Sequence, residues 1–316
     1  MWDVASDRSV ASFEGHTGSV DAVAFSPDGR MVASGAGFGD SSIRMWDAET
    51  KKPLPGFTRQ AEDEDVGAAN ALAFSPDGKL LASGSDDGTA LLWDVRRRTL
   101  RGAPILGHED RVSDVDFAPD GRTLITAGYD GTVRFWNTRT GRASPAPIAA
   151  SGPITAVAVS PDGRTLATAG DEFVQLWTLP ARRPLGVALK ATSAGIGALA
   201  ARVWDVAFSP DGATLATGAE DGSARFWDVA LRRQLGETVR AHRAGVTSLA
   251  FSADGKRLAS ASDDETVLIW DGALWGRDLD EFKQRICAGV RHDLTRDEWA
   301  EYLPGRAYHR SCPSSP

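Results

Sequence analysis

Ser75-Pro76-Asp77-Gly78, followed by Asp87-Gly88 and then by Trp93-Asp94, sets a punctuation that returns along the whole chain. Ser-Pro-Asp-Gly or a near copy begins at Ser26, Ser75, Ala118, Ser160, Ser209 and Ser252. Downstream of each stands a Trp followed by Asp or a substitute: Trp46-Asp47, Trp93-Asp94, Trp136-Asn137, Trp177-Thr178, Trp227-Asp228 and Trp270-Asp271. Successive tryptophans are 47, 43, 41, 50 and 43 residues apart. A repeat of about 40–45 residues is the period of a four-stranded propeller blade.

Each unit also reads as strands by itself. Val20-Asp21-Ala22-Val23-Ala24-Phe25 is a short β-rich run that stops at a Pro-Asp-Gly turn. Met31 to Ser34 starts a second strand, and Ile43-Arg44-Met45-Trp46 is a third with alternating apolar positions. Asp87-Gly88, Asp130-Gly131 and Asp221-Gly222 are hairpin turns between second and third strands. A fourth strand is expected after each Trp, as in Thr99-Leu100 to Leu106.

Over residues 1 to 271 these features resemble the WD40 (WD-repeat) family. The resemblance implies that a His, a Ser or Thr, an Asp and a Trp link three strands of a blade by hydrogen bonds. The motif transfers in full to His16, Ser34, Asp40 and Trp46, to His108, Thr126, Asp130 and Trp136, and to His242, Ser260, Asp264 and Trp270. The first set carries a two-residue insertion around Gly37-Phe38. The second and fifth blades keep Ser83, Asp87, Trp93 and Thr217, Asp221, Trp227 without the His, and the fourth, with Asp171-Glu172 and no Asp-Gly, is degenerate. His beside Asp and Ser could suggest a hydrolase triad. An active site occurs once, however, whereas this constellation recurs at a fixed offset from Trp, so its role reads as structural.

After Asp271 the expected fourth strand disappears, while Arg8-Ser9-Val10-Ala11-Ser12-Phe13 matches a fourth strand with no blade before it. Pairing that strand with the last blade would remove an exposed sheet edge. The expected fold is therefore all-β: a propeller of six four-stranded blades over 1–271, closed by the N-terminal strand, with a helical C-terminal tail over 272–316 packed on it. Met1-Trp2-Asp3 aligns with Met45-Trp46-Asp47, which suggests descent from, or truncation of, a longer array. In the tail, Leu279, Phe282, Ile286 and Val290 fall at helical spacing, and Thr295 with Glu298 forms a capping box flanked by the Leu294–Trp299 staple. This tail resembles those that close WD-repeat regions of large bacterial signalling proteins, which often carry an ATPase or effector domain upstream. No GxxxxGK[ST] loop is present.

Composition narrows the function classes. The chain of 316 residues is 42% hydrophobic and 25% charged, and no apolar run approaches the length of a membrane span. Met1 to Asp7 has neither a basic start nor an apolar stretch, so no secretory signal is expected. The two cysteines, Cys287 and Cys312, make no disulfide framework and are expected as free thiols in a reducing cytoplasm. A formal charge of −8 disfavours nucleic acid as partner. No His or Cys spacing suits a metal, and no cofactor is expected.

Propeller geometry places the hairpin turns on the top face and the links after Trp-Asp on the bottom. The top then collects acid, including Glu62 to Asp65, Glu109, Asp110, Asp171 and Glu172, and the bottom collects base at Lys51, Lys52, Arg96 to Arg98, Arg139, Arg142, Arg182, Arg183, Arg232 and Arg233. The family resemblance implies partner contacts at the start of the inner strand and just before the turn Asp. Candidate residues are Asp21, Asp86, Arg111, Tyr129, Arg202, Trp204, Glu220 and Asp263. Trp204 stands where the other blades carry small polar residues; it is either a partner anchor or a cover for the loop from Ala191 to Ala201. The expected function is a non-catalytic scaffold or sensor that binds a protein or peptide at the top face, monomeric if the ring closes. The alternatives are a C-terminal fragment of a longer array and a propeller hydrolase or lyase.

Overall fold

Five of the six blades are built on a turn that a Ser and an Asp side chain close. In the first, Ser26 Oγ donates to Asp28 Oδ1 at 2.6 Å, while the backbone N–H of Arg30 donates to Asp28 (3.1 Å) and that of Met31 to Ser26 Oγ (2.9 Å). Gly29 takes φ +69°, a conformation that only glycine adopts without strain. The same bonds recur at Ser75/Asp77, Ser160/Asp162, Ser209/Asp211 and Ser252/Asp254. The turn residues thus fix the register of the two strands they join.

The computed structural model describes residues 1–3, 8–37, 40–57, 69–192, 201–240 and 242–272. Six antiparallel sheets follow one another, each with an inner, a middle and a third strand. The first blade is Val20–Phe25, Met31–Ala36 and Ile43–Asp47. The second is Ala69–Phe74, Leu80–Ser85, Ala90–Asp94 and Thr99–Leu100. The third is Val112–Phe117, Thr123–Gly128, Thr132–Asn137 and Ile148–Ala149. The fourth is Ala156–Val159, Thr165–Ala169 and Phe173–Thr178, edged by Arg183–Pro184 and Leu189–Lys190. The fifth is Val203–Phe208, Thr214–Ala219, Ser223–Asp228 and Arg233–Arg240, and the sixth is Val246–Phe251, Arg257–Ser262 and Val267–Asp271.

Both faces of an interior blade are apolar, so the core lies between blades. Inner strands pack on one another in chain order, and Val115, Val206 and Leu249 are buried at the contacts. The turn prolines set the spacing: Pro27, Pro76, Pro119, Pro161 and Pro210 each lie 3.4–3.7 Å from where a Cβ would stand on the turn glycine of the next blade. The fourth strand is less regular than the sequence suggests. Thr99–Leu100 pairs with the third strand, the chain leaves it, and contact resumes only at the Ala90↔Ile105 bridge. Pro104 in blade two and Pro145 and Pro147 in blade three cannot donate to a ladder, and among the described residues only blade five, without a Pro there, holds one strand of eight residues.

The all-β fold and its six blades are as the repeat predicts; the N-terminal strand is not. Arg8–Ser9 pairs with Trp2–Asp3 rather than with Val267–Asp271, and the sixth blade has three strands among the described residues. The register, Trp2↔Ser9 and Asp3↔Arg8, is that of Trp93↔Leu100 and Asp94↔Thr99 in the second blade. A link of a few residues closes this pair at far smaller entropic cost than a contact across the whole propeller. The predicted tail helices and both cysteines lie outside the described residues, as does the acidic run Glu62 to Asp65.

Consequently, among the described residues, the terminal blades each leave an apolar face uncovered. Val23 is 61% and Phe25 55% exposed, although their counterparts Val115 and Phe117 are buried. At the other end Val267 and Ile269 are exposed, whereas Leu92 and Phe226 are buried at the position of Ile269. Contiguous apolar surface of this kind drives association. Light scattering is therefore expected to give a mass above that of one 33.5 kDa chain, and Val23→Asp with Phe25→Asp to lower it. Equal masses for the wild type and the variant would contradict this.

Candidate functional site

The three complete His sets are hydrogen-bonded chains that cross their blades. In the third blade the indole N–H of Trp136 donates to Thr126 Oγ1 (2.9 Å), which lies 2.7 Å from His108 Nε2, and His108 Nδ1 lies 3.0 Å from Asp130 Oδ2. In the first, His16 Nε2 is 2.6 Å from Ser34 Oγ and Nδ1 is 2.8 Å from Asp40 Oδ2, so Asp40 fills the acid position despite the insertion before it. In the sixth, Trp270 donates to Ser260 (2.8 Å), and His242 spans Ser260 (2.7 Å) and Asp264 (3.1 Å). Each carboxylate also receives the backbone N–H of the residue after the His, from Thr17, Glu109 and Arg243. Asp264 is held well below the usual carboxylate range by the Thr266 hydroxyl and the Arg243 N–H. Burial lowers the pKa of His108. A neutral His108 donates through Nδ1 to Asp130 and accepts the Thr126 proton at Nε2, so every polar atom of the chain is matched within the blade.

Where the His is missing, the Trp-to-hydroxyl bond persists. Trp93 donates to Ser83 (3.0 Å), Trp177 to Thr168 (2.9 Å) and Trp227 to Thr217 (3.2 Å).

The candidate partner residues fall on a local irregularity. The inner strand slips register at Val20/Ala22, Ala69/Ala71, Val112/Asp114, Val203/Asp205 and Val246/Ser248. The residues skipped are Asp21, Asn70, Ser113, Trp204 and Thr247, those at the start of the inner strand. A bulge bends the strand and re-aims the side chain it carries. The blade-four strand, which begins at Ala156, pairs without such a slip.

Around these bulges the structure brings five of the eight candidates together. Arg111 Cζ lies 3.6 Å from the centroid of the Tyr129 ring, and Arg202 Cζ lies 5.8 Å from the rings of both Tyr129 and Trp204. The N–H of Arg202 donates to Glu220 Oε2 (3.0 Å), and its Nε stands 3.8 Å from Asp171. The Tyr129 hydroxyl is buried with no hydrogen-bond partner among the described residues. Asp21, Asp86 and Asp263 are exposed on other blades; Asp86 accepts from Asn70 Nδ2 at 2.6 Å, and Asp21 lies against Gly37. The loop that Trp204 could cover lies mostly outside the described residues.

The basic bottom links are in part internal fastenings. Arg182, at φ +54°, donates to the carbonyls of Pro145 and Ala146 and stands 3.9 Å from the Phe135 ring of the preceding blade. Arg98, at φ +60°, sits over Phe57 of the preceding blade, and Arg232, at φ +53°, lies against Gly186. These guanidinium groups tie neighbouring blades, which reduces the basic surface left for a partner.

Sequence reasoning missed a second set of blade ties. Asp114 accepts from Val157 N (2.8 Å), Asp116 from Val159 N (2.8 Å) and Asp205 from Leu249 N (2.6 Å), each on the next inner strand. Their signal was an acid inside strands that are otherwise apolar, as in Val203-Trp204-Asp205-Val206. Burial pushes Asp116 up to about 6 and Asp205 up to about 7, and raises Asp114 well above its ordinary value. No group of three or more metal-ligating side chains occurs among the described residues, nor a helix long and apolar enough to cross a membrane.

A family model described as "WD domain, G-beta repeat" matches residues 7–47, 59–94, 99–137, 147–178, 196–228 and 233–271. The chain is similar to "Pre-mRNA-processing factor 19 homolog 2" of Arabidopsis thaliana, 39% identical over 57 residues, 18% of this chain and 10% of that protein. It is similar to the "Notchless protein homolog" of the same plant, 44% identical over 48 residues, 15% of this chain and 10% of that protein. The chain thus spans about a tenth of the length of these curated relatives.

The raised Asp205 gives a pH test. Its folded pKa of about 7 exceeds the ordinary 3.8, so its contribution to stability is full below about 3.8 and is lost as pH rises through about 7. Between pH 8 and pH 5 the wild type should therefore gain stability relative to Asp205→Asn. Melting curves that stay parallel across that range would show that the carboxyl titrates alike in the folded and unfolded chain.

Proposed function

Since the chain belongs to the WD-repeat family, we propose that it is a non-catalytic scaffold or sensor that binds a protein or peptide on the face of its hairpin turns. Propellers of this family generally hold proteins or peptides and are generally non-catalytic. The observation that carries the proposed face is the Arg111–Tyr129–Arg202–Trp204 cluster, with Trp204 on a bulge that re-aims it. Aromatic and Arg side chains of this kind dominate binding energy where they desolvate against a partner. Asp171 and Glu220 beside the two guanidinium groups make the patch amphoteric, which suits a partner that presents both charge signs. Reuse of the His–Ser/Thr–Asp chain in three blades supports a structural rather than a catalytic role for those residues.

The tail resemblance supports placement in the cytoplasm within a bacterial signalling assembly. A second reading, that the propeller works joined to further blades, rests on the uncovered Val23 and Phe25, which are laid out as the packing face of a neighbouring blade. An ATPase or effector domain would then lie upstream in the same protein.

The face is tested by affinity capture from the source cell with the wild type and with Trp204→Ala combined with Arg111→Ala. Loss of a hot-spot pair is expected to weaken retention of specific partners by at least about 30-fold. Undiminished capture by a variant with an unchanged circular dichroism spectrum would remove this face from consideration.

A further inference from the structure

The fourth blade differs from the complete blades in a way that leaves a shaped hollow. In the complete blades the His stands 18 residues before the Ser or Thr: His16 before Ser34, His108 before Thr126, His242 before Ser260. That offset from Thr168 falls on Ala150. Backbone geometry gives the same equivalence, because a Cβ on Gly88 or Gly222 would meet the carbonyls of His108 or His242, and one on Gly131 would meet those of Gly152 and Ala150. Ala150 thus takes the backbone position of the imidazole-bearing residue without filling its space. There the structure has a cavity of about 410 Å³, lined by Ala150, Gly152, Thr168, Glu172, Phe173 and Trp177 among others.

The chemistry of the hollow is that of a blade lacking its ring. Thr168 is buried, and its Oγ1 receives the indole N–H of Trp177 at 2.9 Å, as Thr126 receives that of Trp136. In the third blade the oxygen also meets an imidazole nitrogen at 2.7 Å; here the hydroxyl has only a long contact, 3.4 Å, to the Gln175 carbonyl. With the indole donating in, the hydroxyl proton goes to the Gln175 carbonyl at the long end of hydrogen-bond range, so an acceptor placed closer would compete for it. Asp171 and Glu172 supply carboxylates at the rim, held by partly exposed ion pairs with Arg202 (3.8 Å) and Lys190 (3.5 Å). Exposed pairs of this kind contribute at most about 1 kcal/mol and yield readily to another donor. Phe173, 47% exposed, adds an aromatic edge.

We propose that this hollow accepts the histidine side chain of a partner protein, which completes the fourth blade in trans. The hydroxyl selects among basic side chains. An ammonium or guanidinium has donors only and cannot take the Thr168 proton, whereas a neutral imidazole accepts at one nitrogen and donates from the other to a rim carboxylate. The inference deepens the protein-binding reading, but it concerns a hollow that the Trp204 and Arg111 substitutions do not remove.

The probe is 4-methylimidazole, titrated into the full chain at pH 8 and followed through the Trp177 indole N–H resonance. Saturable binding with a Kd of roughly 1–10 mM is expected for so small a ligand, and methylguanidinium should not compete. Ala150→His should fill the hollow from within and abolish binding with the melting temperature kept or raised. Thr168→Val, near in shape, should weaken binding about tenfold. Absence of saturable binding, tighter binding of methylguanidinium, or binding that both variants leave unchanged would overturn the proposal. Because the readout is a small molecule on this chain, it stands or falls apart from the capture experiment on the Trp204 face.

Discussion

Apolar packing between sheets is the constraint from which the rest of this molecule follows. A blade of three or four short strands cannot bury both of its faces by itself, so each becomes stable only against the next. Val115, Val206 and Leu249, buried on the inner strands, mark those contacts, and each fully buried aliphatic side chain of this size contributes about 1.5–3 kcal/mol. Blade order equals chain order, each inner strand packing on the next one along the sequence. The exposed Val23 and Ile269 show the same rule from its unsatisfied side.

Packing alone would let the sheets slide, and three polar devices prevent it. In five blades a Ser-Asp turn locks the inner strand to its middle strand, and in the third, where Ala118 stands for Ser, Asp120 alone accepts the Arg122 N–H. Carboxylates at Asp114, Asp116 and Asp205 reach a backbone N–H of the following blade, and Arg182 reaches back to carbonyls of the preceding one. The buried acids cost desolvation, visible in their raised pKa values, and the N–H bonds offset part of it. Direction matters as well as strength. At the interface of the third and fourth blades a forward tie from the inner strand and a backward tie from the outer link hold both ends.

Those devices differ in how far the sequence discloses them. Turn chemistry and the Trp period are local and repeated, so the six blades and the His–Ser/Thr–Asp–Trp positions were legible, including Asp40 across its insertion. The bulges were not, since a register slip depends on the partner strand, yet the positions singled out by family resemblance were the slipped residues Asp21 and Trp204. The outer links read as a basic face because a run of Arg gives no sign that a residue at positive φ turns its guanidinium back onto Phe135. Closure failed for a related reason. Arg8–Ser9 has the pattern of a fourth strand, and pattern does not choose between two third strands when Trp2–Asp3 offers the same register nearby.

Repetition also makes departures from the repeat informative. A residue that differs in one blade of six is relieved of the constraint that fixes the others, so its identity points to something outside the blade. Trp204 is such a departure, as a large side chain where the other bulges carry small polar ones; the fourth blade, one of three without the His, is set apart by Phe173 where a complete blade has Thr132 and by the hollow beside Ala150. The two have opposite physical signs. One adds apolar surface above a well-packed interface, and the other removes a ring from inside it while keeping the Trp177–Thr168 bond that the ring would join. Asp171 connects them: its carboxylate faces Arg202, the neighbour of Trp204, on one side and borders the hollow on the other. The irregular features of this propeller are therefore adjacent, and a single partner segment running across blades four and five would meet both.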